Sequence, residues 1–297
     1  GAQPPRPHPE LKDTAPGKPR PPPSPGATGP AAIGYNLDMG DPLDMTGRSV
    51  LVTGGTKGVG RGIAEVFLAH GASVMVCGRN EPEELPASGG RAAAFFAADV
   101  RDVDQIAALV QATRDAFGSV DVVVNNAGGT PPAFVAGTSP RFLTSIITLN
   151  LVAPLLVAQQ ANDVMQGQAE GGSIINIGSV NGMSAAPGVA AYGAAKAGLV
   201  NLTQSLAVEF APKVRVNQVT AGIIGTPEIF AQHYDDDPER IAALTDGIPM
   251  GRMTTPEDVG GSCLFLASPL AANVAGANLV VHGGGDPVGA LPSRPTP

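Results

Sequence analysis

This chain of 297 residues has no tryptophan, only three tyrosines and only two cysteines. Cys77 and Cys263 lie far apart, each inside an apolar segment, so they form no disulfide framework. They read as buried thiols of a reducing, cytoplasmic compartment. The four histidines (His8, His70, His233, His282) are scattered without metal-ligand spacing, and no metal site is expected. Basic residues are also short: 18 Lys and Arg against 26 Asp and Glu leave a net charge of −8, with a pI near 4.9. That balance excludes nucleic acid or an anionic membrane as the main partner. No apolar stretch is expected to approach the roughly 18 residues a bilayer-spanning helix needs. The first residues lack the apolar h-region of a secretory signal. What is present is bulk apolar content, 43% hydrophobic residues, which supports a sizeable core and excludes global disorder. The length suits one large α/β domain or two small ones.

Residues 1–34 differ from everything that follows. Eleven of the 29 prolines fall in the first 30 residues, with Pro21, Pro22, Pro23 and Pro25 at the centre. Proline fixes φ and removes a backbone donor, so this arm is expected to be extended, polyproline-like and disordered. A ligand for a partner domain is the alternative. Residues 35–47 read as a lead-in, 48–286 as the folded domain and 287–297 as a loose C-terminal tail.

From Arg48 onward, short apolar runs alternate with helical patterns. Strands are expected at 49–52, 73–77, 93–98, 120–124, 173–177, 214–219 and 278–281. Helices are expected at about 59–70, 103–117, 140–166, 191–210 and 255–267. Pro82, Pro86, Gly89 and Gly90 break the stretch between the second and third strands, which predicts a crossover helix reduced to a turn or two. Continuous hydrophobic strands in β-α alternation predict a doubly wound Rossmann fold of the α/β class: one domain, with a seven-stranded parallel sheet covered by helices on both faces.

Two local patterns carry chemistry. Tyr192 and Lys196 stand four residues apart in an expected helix, so they share a face with Cβ atoms roughly 5–6 Å apart. A tyrosine titrates near ~10, and a close ammonium favours the phenolate and brings that value toward neutrality, where it serves as acid and base. Alone the spacing is common in helices. The second pattern is Thr53-Gly54-Gly55-Thr56-Lys57-Gly58-Val59-Gly60, running from the first strand into the first helix. Glycines there let the backbone turn tightly and bring helix N-terminal N–H groups against a pyrophosphate.

The T-G-x-x-x-G-x-G spacing differs from G-x-G-x-x-G and resembles the short-chain dehydrogenase/reductase family. Further motifs follow in family order over about residues 45–285. They are Asn125-Asn126-Ala127-Gly128, Asn150, Ser179, Tyr192 with Lys196, and Ala221-Gly222-Ile223-Ile224-Gly225-Thr226, where alanine replaces the family's proline. The stretch 248–252 and the closing Gly283-Gly284 also match. The resemblance implies an oxidoreductase that moves hydride between a nicotinamide cofactor and a ketone or secondary alcohol. Tyr192 would be the acid/base, Lys196 would hold the nicotinamide ribose and lower the Tyr192 pKa, and Ser179 would bond the substrate oxygen. Asn150 would open its helix and hold a water that relays protons. Gly54, Thr56, Lys57, Gly58, Val59 and Gly60 would cradle the dinucleotide. Asp99 would meet the adenine, Asn126, Ala127 and Gly128 would flank the adenosine ribose, Thr226 would contact the nicotinamide carboxamide, and Val100, Gly222 and Ile224 would belong to the same cofactor site. Bland alternatives stand beside these: Ser179 as a turn cap, Asn150 as a helix polar residue bonded to backbone, Asp99 as a helix N-cap.

At the end of the second strand, Gly78 stands where NAD-binding relatives carry a carboxylate, and Arg79 follows. With Lys57 this favours NADP, with NAD as the alternative; solvated surface cations are the competing reading. Substrate is expected between Gly222 and Gly247, with Phe230, His233 and Tyr234 as walls. Asp235-Asp236-Asp237 reads as a solvated run or helix N-cap. The nearest well-known subgroup is 3-oxoacyl-carrier-protein reductase, although an acidic chain offers acidic carrier proteins little attraction. The alternatives are an NAD-dependent alcohol or steroid dehydrogenase and a non-catalytic nucleotide sensor. A homotetramer or homodimer is implied by resemblance alone.

Overall fold

The computed structural model describes residues 40–226, 229–231 and 236–285. The proline-rich arm (1–34), residues 35–39 of the lead-in, the tail (287–297), and His233, Tyr234 and Asp235 lie outside the described residues.

The elements follow in order β1 Ser49–Thr53, α1 Gly58–Ala69, β2 Ser73–Gly78, β3 Ala87–Ser88, β4 Arg91–Ala92, β5 Ala94–Ala97, α2 Val103–Phe117 and β6 Val122–Asn125. After these come α3 Pro140–Ile147, a π-helical turn Thr148–Val152, α4 Ala153–Met165, β7 Gly172–Ser179, α5 Ala190–Glu209 and β8 Val214–Ala221. The chain closes with α6 Pro238–Asp246, α7 Pro256–Ala267 and β9 Asn278–Val281. Seven strands form one parallel sheet in the order β5-β2-β1-β6-β7-β8-β9. Chain progression reverses between β1 and β6, the switch point outside whose strand ends open α/β sheets bind ligands.

Both sheet faces are covered. On one, Phe67, Ile63 and Leu68 of α1 and Val259 and Leu264 of α7 pack against alternate residues of β1, β2 and β8. On the other, Leu109 and Ile106 of α2, Val157 and Ala161 of α4 and Leu206 of α5 cover Leu51, Val123, Ile174 and Val216. Each fully buried side chain of this size contributes about 1.5–3 kcal/mol. Strands buried on both sides explain why their sequences are continuous apolar runs and not alternating ones.

Helix ends follow capping chemistry. Asp102 accepts from the N–H groups of Asp104 and Gln105 to start α2, which stops at Gly118 in the left-handed region (φ 87°). Thr255 and Asp258 make a reciprocal capping box at α7. Asp237 caps α6, accepting from Glu239 and Arg240 N–H, with Pro238 in the first turn, so the helix-cap reading of that acidic run holds at Asp237.

Two expectations are corrected. No crossover helix, even a short one, joins β2 to β5. Gly89 and Gly90, both at positive φ, turn a two-stranded antiparallel ribbon, β3–β4, and Arg61 of α1 ties the preceding segment down by donating to Glu84 O at 3.0 Å. Second, Pro140–Met165 forms 26 residues of near-continuous helix with mean hydropathy 1.8 over its most apolar window, long and apolar enough by length and composition to cross a membrane. Here it lies against the sheet, with Ala153, Val157, Ala158, Ala161 and Met165 in the core, while Phe142, Ile147, Val152 and Leu155 remain exposed.

Candidate functional site

All seven strands run parallel, so β1, β2, β5, β6, β7 and β8 deliver their carboxyl ends to one edge of the sheet. The catalytic and cofactor residues expected from the sequence sit on that edge or on the helices rising from it. Gly54, Thr56 and Lys57 form the β1–α1 loop, and Gly58, Val59 and Gly60 the first turn of α1. Arg79 leaves β2, Asp99 and Val100 leave β5, Asn126–Gly128 leave β6, and Gly222, Ile224 and Thr226 leave β8.

The glycine loop is built from backbone. Gly54 turns at φ +63°, and Gly60 lies so close to the loop that a Cβ there would come within 2.3 Å of Gly54 O and 2.4 Å of Asn126 Nδ2. Asn126 in turn donates from Nδ2 to Thr53 O (2.9 Å) and Gly54 O (3.1 Å). Thr53 Oγ1 accepts from the N–H groups of Asn126 and Ala127, each at 3.0 Å. The start of α1 has neither a side-chain cap at Lys57 nor an acidic residue in its first turn. Its free N–H groups and positive dipole end therefore suit an anion. Thr56 packs beside Gly78, whose Cβ would lie 3.3 Å from Thr56 Cγ2. Lys57 and Arg79 are exposed.

The second half of the edge is built from side chains. Asn150 is fully buried in the π-helical turn. Its Oδ1 accepts from Gly129 N–H at 2.8 Å, and its Nδ2 donates to Gly129 O at 3.0 Å and Ile146 O at 2.9 Å. The helix does open at Asn150, as expected. The amide itself clasps the loop after β6, so the backbone-bonded alternative also holds for its side chain. Gly128 lies against it, its Cβ position 2.7 Å from Asn150 Oδ1 and 3.4 Å from Lys196 Nζ. Lys196 is buried, donates to Ile177 O at 2.7 Å and sits with Nζ 5.7 Å from the centroid of the Tyr192 ring. Ser179 ends β7, where its Oγ accepts from Asn181 N–H at 3.3 Å, and its hydroxyl faces Tyr192, whose pKa it lowers. It is turn cap and Tyr192 partner at once.

Protonation departs from the sequence expectation. Burial pushes the Tyr192 phenol above its ordinary value, and the Ser179 hydrogen bond only partly offsets that. Lys196 is pushed down to about 8 by burial. The expected lowering of Tyr192 by its neighbour is therefore corrected: desolvation of the phenolate outweighs an ammonium that is itself desolvated and already donates to a carbonyl.

The helix-cap alternative for Asp99 is corrected as well. Asp102, and not Asp99, caps α2, while both Asp99 oxygens are taken by Arg101. Val100 is anchored in the core. Thr226 is buried and its Oγ1 accepts from Ile229 N–H at 3.4 Å, and Ile224 bridges to Thr254. Gly222 N–H is fixed by Val281 O at 2.8 Å. Of the expected walls, Phe230 is half-buried and packs with Ile223, Ile229 and Ile241 against Leu244, Ile248 and Met253. Sequence reading missed Gly129, Thr53 and Arg101. Thr53 was signalled by its place between strand and glycines; Gly129 acts only through backbone and gave no signal. Cys77 and Cys263 are both free and buried, as expected.

Residues 54–285 match the family model described as enoyl-(acyl carrier protein) reductase. The chain belongs to the short-chain dehydrogenase/reductase family. It is an oxidoreductase, and nicotinamide dinucleotides are the family's cofactors. Among curated relatives it is 34% identical to a 3-oxoacyl-acyl-carrier-protein reductase of Chlamydia muridarum, over 81% of this chain and 98% of that protein. It is 37% identical to an L-rhamnose 1-dehydrogenase (NAD(P)+) of Azotobacter vinelandii, over 80% and 96%. It is 38% identical to 3beta-hydroxysteroid dehydrogenase 1 of Eggerthella lenta, over 81% and 94%. A crystal structure described as that of a short-chain alcohol dehydrogenase from Sinorhizobium meliloti 1021 superposes with a TM-score of 0.74 at 31% identity, covering 82% of this chain and 97% of that one.

Proposed function

We propose that this short-chain dehydrogenase/reductase reduces a ketone to a secondary alcohol, favouring NADPH over NADH, with Tyr192 giving and taking the proton. The observation that carries the reading is the meeting of Tyr192 with Ser179 and Lys196 beside the β6 loop, on the same sheet edge as the glycine loop.

The residues fit a dinucleotide. The tight backbone of Gly54–Gly60 and the uncapped α1 N-terminus would hold the pyrophosphate. Asp99 and Val100 would border the adenine, and Asn126, Ala127 and Gly128 the adenosine ribose. Lys57 and Arg79 would take the 2′-phosphate. Gly222, Ile224 and Thr226 would border the carboxamide, and Lys196 and Tyr192 the nicotinamide ribose. When bound, nicotinamide supplies or accepts the hydride at C4.

The chain's own groups handle the proton. Burial keeps Tyr192 protonated at neutral pH, which suits it to donate to a developing alkoxide. Ser179 Oγ–H stabilises the same oxygen. Lys196, at about 8, keeps its proton at pH 7 and can replace the one Tyr192 gives up. Relatives named for a 3-oxoacyl group, a sugar and a steroid share hydrogen transfer at a carbon–oxygen bond, which supports this substrate class. The exposed Phe142, Ile147, Val152 and Leu155 of the α3–α4 helix support a homo-oligomer, a tetramer or dimer, which size-exclusion chromatography checks.

The test is reduced-nicotinamide consumption with a panel of ketones, NADPH and NADH in parallel. Faster consumption of NADPH is expected. Tight nucleotide binding with no consumption on any ketone would instead indicate a nucleotide sensor.

A further inference from the structure

Strands β2 and β5 end side by side. Gly78 pairs with Ala97 in parallel register, and Ala98 N–H donates to Gly78 O at 2.9 Å. The two chains leave this edge with opposite charges, Arg79 directly after Gly78 and Asp99 directly after Ala98. Neighbouring strands lie only about 4.8 Å apart, so a guanidinium and a carboxylate placed this way are within reach of each other.

They are nevertheless not paired. Arg101 Nε donates to Asp99 Oδ1 at 2.9 Å and Oδ2 at 3.2 Å, Arg101 Nη2 donates to Oδ2 at 2.5 Å, and the Arg101 N–H donates to Oδ1 at 3.0 Å. The segment is held further by Gln105, whose Oε1 accepts from Asp99 N–H at 2.9 Å while its Nε2 donates to the α2 cap Asp102 at 2.9 Å. Arg79 makes no hydrogen bond or ion pair with another described residue. Asp99 is held below its ordinary carboxylate value chiefly by the Arg101 hydrogen bond, and the Arg79 charge adds a smaller pull in the same direction. The carboxylate therefore feels Arg79 but is already bound.

We propose that Arg101 is a positioning residue for phosphate recognition: by occupying both oxygens of Asp99 it keeps that carboxylate off Arg79 and leaves the Arg79 guanidinium for the 2′-phosphate of NADP. The inference rests on the NADPH reading above and adds a residue that touches neither phosphate nor substrate. Removing Arg101 frees a carboxylate at the neighbouring strand end. That carboxylate both competes for Arg79 and repels a phosphate dianion.

Calorimetric titration of the whole protein with 2′,5′-ADP and with 5′-AMP tests it, the readout being the ratio of the two affinities. Wild type should bind 2′,5′-ADP the more tightly. Arg101→Gln should lower the ratio about three- to fivefold, the size of one exposed ion pair gained by the wrong partner. Adding Asp99→Asn to that variant should bring the ratio back to the wild-type value. Equal weakening for both probes would assign Arg101 a merely structural role, and an unchanged ratio, or one the double variant fails to restore, would equally overturn the inference. A wild type that does not prefer 2′,5′-ADP would sink the NADPH reading itself, before any variant is compared.

Discussion

The two halves of the sheet edge are built from different material. On the β1 side the surface is backbone: glycines, an uncapped helix start and Asn126 tying the loop down. On the β7 side it is side chains, with buried Asn150 clasping Gly129 and buried Lys196 beside the half-buried Tyr192. A backbone site is sensitive to added volume and indifferent to side-chain chemistry. A side-chain site is the reverse, and changes that hold volume nearly constant should break it.

The largest separation is expected at Lys196→Met, which keeps the stem and removes the ammonium. Turnover should fall by about 10²–10⁴-fold, the range of general acid–base contributions. The same variant probes desolvation. Lys196 titrates at about 8 in the fold against 10.5 for the free side chain, so between those values the unfolded chain binds more protons. Wild-type stability should therefore rise with pH through this window, and the stability difference between variant and wild type should move in the wild type's favour. Urea denaturation at pH 7 and pH 10 measures it, and a difference independent of pH would contradict the buried-ammonium account.

Ser179→Ala comes next. Loss of one donor at the substrate oxygen should cost about 10²-fold in turnover, and nucleotide affinity should be nearly unchanged. Because the Ser179 hydrogen bond is what draws the Tyr192 value down, the alkaline limb of the pH–rate profile should move upward.

Gly60→Ala should invert the pattern. The new Cβ meets Gly54 O at 2.3 Å, and overpacking of this kind costs about 1–3 kcal/mol. Nucleotide affinity followed by fluorescence should drop along with thermal stability. Retained affinity would mean that the loop is not the cradle proposed. The smallest effect is expected from Ser268→Ala, which removes the cap of the turn Pro269–Ala271 at the opposite edge of the sheet, where Ser173 near the start of β7 donates to Leu266 O. Stability should fall by about 1 kcal/mol with kcat intact, a control showing that destabilisation alone does not imitate the site variants.

The same contrast governs what could be read from the residues. Elements with a helical period or a continuous apolar run were legible: α2 at Val103–Phe117 and β9 at Asn278–Val281 lie where expected, and β1, β2, β7 and β8 differ by a few residues at their ends. The β3–β4 ribbon has two residues per strand, too short for any periodicity to register. Of helix α6 only the cap was foreseen, in the acidic run, although Asp237-Pro238-Glu239 announces a capped start. In the site, residue types at family spacing identified the participants. Their protonation was not legible, because the Tyr192 shift depends on how completely the fold excludes water, and spacing along a helix carries no information about that. The Asn150–Gly129 clasp and the Arg101–Asp99 pair escaped for a related reason: one partner contributes only backbone in the first, and in the second a short-range turn decides which cation reaches the carboxylate.

Turnover and nucleotide affinity measured together on Tyr192→Phe test the central claim most directly. Removing one hydroxyl should abolish hydride transfer to ketone while the dissociation constant for reduced nucleotide stays within about twofold of wild type. Ketone reduction at an undiminished rate by that variant would contradict the assignment of the proton to Tyr192.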